Sequence, residues 1–406
     1  MDRLPNFLKS SAIAALAAVS AFAIEVPSGT ELQIRLKSKI STQTAKVKDP
    51  VESAIIAPVL SDGQVAIPMG AVVRGVIAKT TQSAKGDERS TLQFEFNEIE
   101  IDGTKHKLAA QLSTIDNARE KIDDQGQISG ILASETITGR LDSGISKLTE
   151  RFSGFGGVLG TVKNAVLKPA ESAITYDAGT EMTLKLTAAL TLKGPSTSGP
   201  ESKLTPIGND DAVAALVNRQ SYRTVAQNPP KPSDITNIML IASEAQVKDT
   251  FAAAGWSLAA GLSTQAKFET FRALAEDRGY QEAPVSILML DGKPPDMVFE
   301  KLNNTFAQRH HLRVFRRDDT FAGAPVWVIA ATHDTGISFS EANRTFIHKI
   351  DGQIDRERAK VVNDLIFTGR VQSLALVDRP SVPQKDQNAT GDSLETDAKM
   401  AVLVLK

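Results

Sequence analysis

The chain has 406 residues, a formal net charge of −2, five histidines and no cysteine. That length exceeds what one core organises, so two domains are expected. Charge that is near zero and spread along the chain excludes a dedicated nucleic-acid or anionic-membrane binder, and the missing cysteine excludes disulfides and a lipidated cysteine.

Arg3 and Lys9 precede an Ala-rich apolar run, Ile13 to Phe22, that closes on Ala21-Phe22-Ala23. This pattern predicts a signal peptide over 1–23, cleaved near Ala23, because the run falls far short of the roughly 20 apolar residues of a spanning helix. A periplasmic or secreted product is expected.

Over 24–192 short runs alternate apolar and polar residues: Leu32, Ile34 and Leu36, then Val72, Val76 and Ala78 around Gly75, then Leu92, Phe94 and Phe96. With Asp62-Gly63 and Asp102-Gly103 turns between runs, the alternation predicts half-buried antiparallel strands in an all-β barrel or sandwich. An internal echo links Pro27-Ser28-Gly29-Thr30-Glu31-Leu32-Gln33-Ile34-Arg35-Leu36 to Asp177-Ala178-Gly179-Thr180-Glu181-Met182-Thr183-Leu184-Lys185-Leu186. Two like strands that open and close one sheet would produce it.

The pairs Gly29-Thr30 and Gly179-Thr180, with Ile67-Pro68-Met69-Gly70 between them, resemble the C-terminal β-barrel of TrbI-like scaffold subunits of type IV secretion systems, over about residues 26–192. The resemblance implies a helical insertion late in the barrel, and 141–170 occupies that place. Its Gly154, Gly156 and Gly160 lack the third glycine of a dinucleotide fingerprint, and Lys163 interrupts an apolar run too short to span a bilayer. A flexible amphipathic insertion is expected, and any peripheral membrane contact would run through it.

Residues 193–233 read as a linker, with Pro/Gly/Ser runs at Lys193 to Pro200 and Asn228 to Pro232 on either side of a short helix within Asp211 to Arg223. The second domain, 234–380, alternates strands and helices. Strands are predicted at Ile238 to Ala242, Val285 to Leu290, Met297 to Glu300, His311 to Arg316, Val326 to Ala331, Phe346 to Ile350 and Val371 to Val377. Helices are predicted at Glu244 to Ala254, Gln265 to Glu276 and Asp355 to Phe367. An α+β sandwich follows. Residues 381–406 form a polar tail whose closing apolar run, Met400 to Leu405, returns as a strand to one of the sheets.

The runs Ile238-Met239-Leu240-Ile241-Ala242-Ser243, Ala253-Ala254-Gly255-Trp256, Arg309-His310-His311-Leu312-Arg313, Pro325-Val326-Trp327, Ala331-Thr332-His333-Asp334 and His348-Lys349-Ile350-Asp351, with Asp355-Arg356-Glu357-Arg358, resemble the LssY C-terminal domain family. The match covers about residues 228–380 in the family's order. Family members often append this domain to membrane modules of phosphatidic-acid-phosphatase or DedA type. No such module is read here, and the resemblance implies no established activity.

Four of the five histidines fall between His310 and His348. If 309–317 is one strand, Arg309, His311, Arg313 and Arg317 share a face suited to anions, while His310, Leu312 and Val314 share the other. Those arginines could equally be paired with Glu300, Asp318 or Asp334. His333 beside Asp334, and His348 beside Asp351, are the candidate acid/base pairs. Together with His311 these residues are of the right type for zinc or another divalent ion, but no tight spacing joins them and a metal is not favoured. Asp334 and Asp351 could instead cap turns, and Arg358 could reach Asp351. Trp256 and Trp327 are expected in the core. No nucleophile motif is present.

Three functions fit. The leading one is a non-catalytic adaptor or binding protein of the cell envelope, with partners among envelope or secretion proteins. The others are a hydrolase of phosphorylated or lipid-linked substrates using the His/Arg cluster, and an anion-binding sensor.

Overall fold

The computed structural model describes residues 23–83, 88–132, 173–227, 230–259, 288–301, 309–340 and 345–406, with backbone alone over 336–340 and 345–348. The expected signal peptide through residue 22, the insertion 141–170 and the helix expected over Gln265 to Glu276 lie outside the described residues.

Period-two burial builds the first domain. In Glu31–Leu36 (β1) Leu32, Ile34 and Leu36 are buried while Glu31 and Gln33 face out. The same alternation shapes Pro50–Ile55 (β2), Val72–Thr81 (β3), Thr91–Ile101 (β4), Thr104–Ile115 (β5) and Glu181–Leu186 (β6). Glu181 departs from it, being buried at the head of β6. Neighbours pair antiparallel in the order β4-β3-β2-β1-β6-β5, and β5 returns to β4, closing a six-stranded barrel that leaves these strands no free edge. Asp62-Gly63 and Asp102-Gly103 hold positive φ at both residues, as two-residue hairpin turns require.

The sequence echo is a pairing. β1 and β6 lie side by side with Ile34 opposite Met182. Gly29 N–H donates to the Leu186 carbonyl at 2.7 Å and Gly179 N–H to the Leu36 carbonyl at 2.9 Å, so each copy's turn caps the other's strand. Both glycines have positive φ, +87° and +95°, which explains the repeated Gly-Thr.

The second domain is centred on one sheet: Ile238–Ile241 (β7), Trp256–Leu258 (β8), Met297–Lys301 (β9), Arg309–Phe321 (β10), Ala324–Ser340 (β11), Thr345–Ile350 (β12), Val371–Asp378 (β13) and Lys399–Leu405 (β14). Their order is β8-β9-β10-β11-β7-β14-β13, with β12 on the far half of β11, and β7 runs parallel to β14. The closing strand thus lies inside the sheet. On one face Asp210–Asn218 (α1) packs Val213, Leu216 and Val217 against Met239, Ile241, Val328 and Val402. On the other, Glu244–Ala253 (α2) and Ile354–Phe367 (α3) pack Val247, Phe251, Val361 and Leu365 against Ile238, Leu240, Leu312 and Leu403. Burial on both faces is why β7 and β14 read as unbroken apolar runs. Ser243 and Gln246 form a reciprocal capping box that starts α2.

Part of the segment expected as a linker is built into this domain: it holds α1 and the strands Arg223–Ala226 and Lys231–Ile235, which pair with each other. The two domains also touch directly. Met69, from the barrel's Ile67-Pro68-Met69-Gly70 turn, is buried in the core beneath α2 and α3, and its N–H donates to the Glu201 carboxylate at 3.0 Å.

Candidate functional site

β10 pairs with β9 and β11, and its side chains alternate between two buried polar clusters. On the α1 face, cross-strand register sets Arg309 opposite Asp334 and His311 opposite Thr332. Arg309 donates to Asp334 Oδ2 through Nε at 3.1 Å and Nη2 at 3.0 Å, and its Nη1 lies 3.6 Å from Glu300. His311 Nε2 lies 2.8 Å from Thr332 Oγ1, and Arg313 donates to Asp234 at 2.8 Å. Burial raises Asp334 to about 6 against the pull of Arg309 and Arg313, and burial lowers Arg313 despite Asp234.

The opposite face holds His310, and here the barrel enters. His310 Nδ1 lies 2.8 Å from Glu357 Oε2 of α3, and Nε2 lies 2.9 Å from Asp116 Oδ1, in the turn after β5. Burial disfavours the imidazolium, but Asp116 and Glu357 outweigh it and raise His310 to about 10; burial likewise opposes the Asp116 carboxylate, which His310 and Lys360 nevertheless hold down at about 2. His333 of β11 stacks on His310, ring centroids 4.0 Å apart and planes within 11°, with Nε2 3.2 Å from Asn117 Oδ1. Asn117 reaches it from a left-handed backbone, φ +55°, which asparagine tolerates better than most residues.

The cluster continues through Glu181, whose carbonyl accepts from Asp116 N–H at 2.9 Å. The Glu181 carboxylate takes hydrogen bonds from Arg35 of β1, 2.7 Å, and from Lys360, and lies 3.3 Å from Lys301 Nζ. Asp364 of α3 accepts from Arg35 at 2.9 Å, Lys301 at 2.7 Å and Trp256 Nε1 at 3.0 Å. Burial would raise Glu181, yet Lys360, Lys301 and Arg35 lower it well below the carboxylate range. Lys360 is raised, its neighbours Asp364 and Glu181 overcoming burial, whereas burial wins at Lys301, which is lowered. Four acids (Asp116, Glu181, Glu357, Asp364) therefore meet four bases (Arg35, Lys301, Lys360, His310), and the charge closes when His310 is protonated. Ion pairs cross the domain boundary at Asp116–His310, Glu181–Lys301, Glu181–Lys360 and Arg35–Asp364.

Residues singled out in the sequence separate across the sheet. His333 and Asp334 point to opposite faces, and Asp334 is taken up by Arg309. Asp351 Oδ1 accepts from Gln353 N–H at 2.9 Å, capping the turn before α3. Arg358 does not engage Asp351: it turns to Asp397, at 2.7 and 2.8 Å, and to Asp355, because α3 aims it at the loop before β14. Arg317 pairs with Asp291 at 2.6 Å, and Asp318 with Lys293. His348 sits in β12 opposite Ile337, and its side chain lies outside the described residues. Trp256 and Trp327 are buried, 2% and 3% exposed.

Asp116, His310 and His333 place ligand-type atoms within 4.8 Å of one another. The near-parallel stack, however, sends the two imidazole lone pairs side by side rather than toward a common point, so a divalent ion would require one ring to rotate. The arrangement suits an imidazolium lying on a neutral imidazole.

Asp116, Asn117, Glu181, Arg35, Lys301, Lys360, Glu357 and Asp364 are the members of this cluster that the sequence did not single out as site residues. In α3 a signal existed: Glu357 and Asp364 fall on the apolar stripe with Val361 and Leu365. Glu181 carried none, since its counterpart Glu31 in the echo is exposed.

Residues 218–400 match the LssY C-terminus family model. The matched region thus starts before, and runs beyond, the 228–380 expected from motifs, and ends just inside β14. No curated protein matches the chain. A solved structure, that of ComB10 of the Com type IV secretion system of Helicobacter pylori, overlaps 43% of this chain and 93% of its own at 12% identity and a TM-score of 0.24, too slight an overlap to equate the folds. Among the described residues no helix is long and apolar enough to cross a membrane.

Proposed function

We propose that the chain is an exported, non-catalytic adaptor or binding protein of the bacterial cell envelope, acting in envelope assembly or secretion, in which the LssY C-terminus domain is fixed to a barrel. One observation carries this reading: the charged side chains that would serve catalysis are instead used on one another. His310, whose pKa is raised to about 10, is enclosed by Asp116 and Glu357 and is 3% exposed. Arg309 and Arg313 are spent on Asp334 and Asp234. Perturbed titrations mark catalytic sites and structural ion networks alike, and burial with mutual pairing favours the network. Export rests on the N-terminal sequence pattern.

Two assays on the full-length chain test this. Fractionation and intact-mass analysis should recover a periplasmic protein starting near Ile24, and purified protein should leave phosphomonoester and phosphodiester substrates intact with or without divalent ions. Turnover lost in His333→Ala would overturn the reading in favour of a hydrolase, and an unprocessed cytoplasmic chain would remove the envelope assignment.

A further inference from the structure

We propose that the stacked His310 and His333 form an acid-sensitive latch between barrel and LssY C-terminus domain, closed while His333 is neutral and released when it takes up a proton. The geometry allows one charge on the stack and opposes two. With His310 charged, the four acids and four bases of the interface cancel, and a proton on His333 adds a fifth positive charge 4.0 Å from an existing one. The added charge falls on the seam, because His333 contacts the barrel through Asn117 and His310 contacts it through Asp116.

Among the described residues, charged groups from several elements besides its own act on His333. His310 from β10 repels its proton, while Glu357 from α3, Asp116 from the barrel turn and Asp351 from the turn before α3 attract it; Lys360 acts on Asp116. Burial, followed by His310, lowers His333 from its usual value. A histidine lowered on folding contributes stability that is complete above its unfolded pKa, 6.5, and lost as pH falls below it. Asp116, at about 2, and Glu181, well below its usual range, stay ionised through that window and cannot be the trigger. Asp334, at about 6, titrates within it but on the other face of the sheet. His333 is half-buried rather than sealed, so a proton can reach it.

The cysteine-free chain makes the test direct. Full-length L60C/L376C carries one exposed label on each domain, at residues 61% and 53% exposed, for energy transfer measured from about pH 7.5 to about pH 5. Transfer should fall reversibly on acidification while far-UV circular dichroism holds. His333→Gln, which stays neutral and keeps a donor for Asn117, should remain closed across the range, and Asp334→Asn should open as the wild type does. Transfer that does not change with pH, His333→Gln opening at the wild-type pH, or loss of secondary structure in step with transfer would each overturn the latch.

Discussion

A buried carboxylate shared among four donors is costly to desolvate and tolerable only while all of them are present. Asp364 is in that position: its side chain is 2% exposed and binds Arg35, Lys301, Lys360 and Trp256. Asp364→Ala should destabilise the chain by about 3–5 kcal/mol in urea unfolding, because four donors lose an acceptor at a buried seam. His310 supplies a second residue-scale prediction. Its pKa rises from 6.5 unfolded to about 10 folded, so its contribution is complete below about pH 6.5 and is lost as pH rises toward 10. The wild-type urea midpoint should fall steadily over that interval, and the slope should vanish in His310→Gln.

Elements succeed or fail here on single positions within a regular pattern. Gly75 interrupts β3 at a register shift, where an added Cβ would lie 2.2 Å from the Glu95 carbonyl oxygen of β4. Gly75→Ala should therefore cost about 1–3 kcal/mol, a penalty for overpacking rather than lost flexibility, readable as a lower thermal midpoint with barrel secondary structure intact. Most strands were legible in the sequence because period-two alternation and Asp-Gly turns coincide with the barrel's buried face and hairpins. β10 was legible as well: the alternation of Arg309, His311 and Arg313 against His310 and Leu312 follows from strand geometry alone, and Glu300 and Asp334 stand close enough in sequence to the strand to be expected as partners for its arginines. What α3 does with Glu357, Lys360 and Asp364 was not. Charges on a helix are ordinarily solvated, and their burial depends on a second domain arriving over them.

At the scale of the whole molecule, the interface could not be read from local pattern. Asp116 meets His310 across 194 residues and Arg35 meets Asp364 across 329, separations over which the sequence carries no periodic signal. Fold class was readable because cores repeat their residues at fixed spacings, whereas the seam is a one-off arrangement of eight charges. On the proposed reading, barrel and C-terminal domain act as one unit held by these ion pairs, and the histidines serve cohesion. The most direct measurement of that claim is a double-mutant cycle on unfolding free energy with Asp116→Asn, His310→Gln and the double variant in the full chain near pH 7. The ion pair predicts a coupling above about 1 kcal/mol, whereas additivity within about 0.5 kcal/mol would contradict a lock made of this pair.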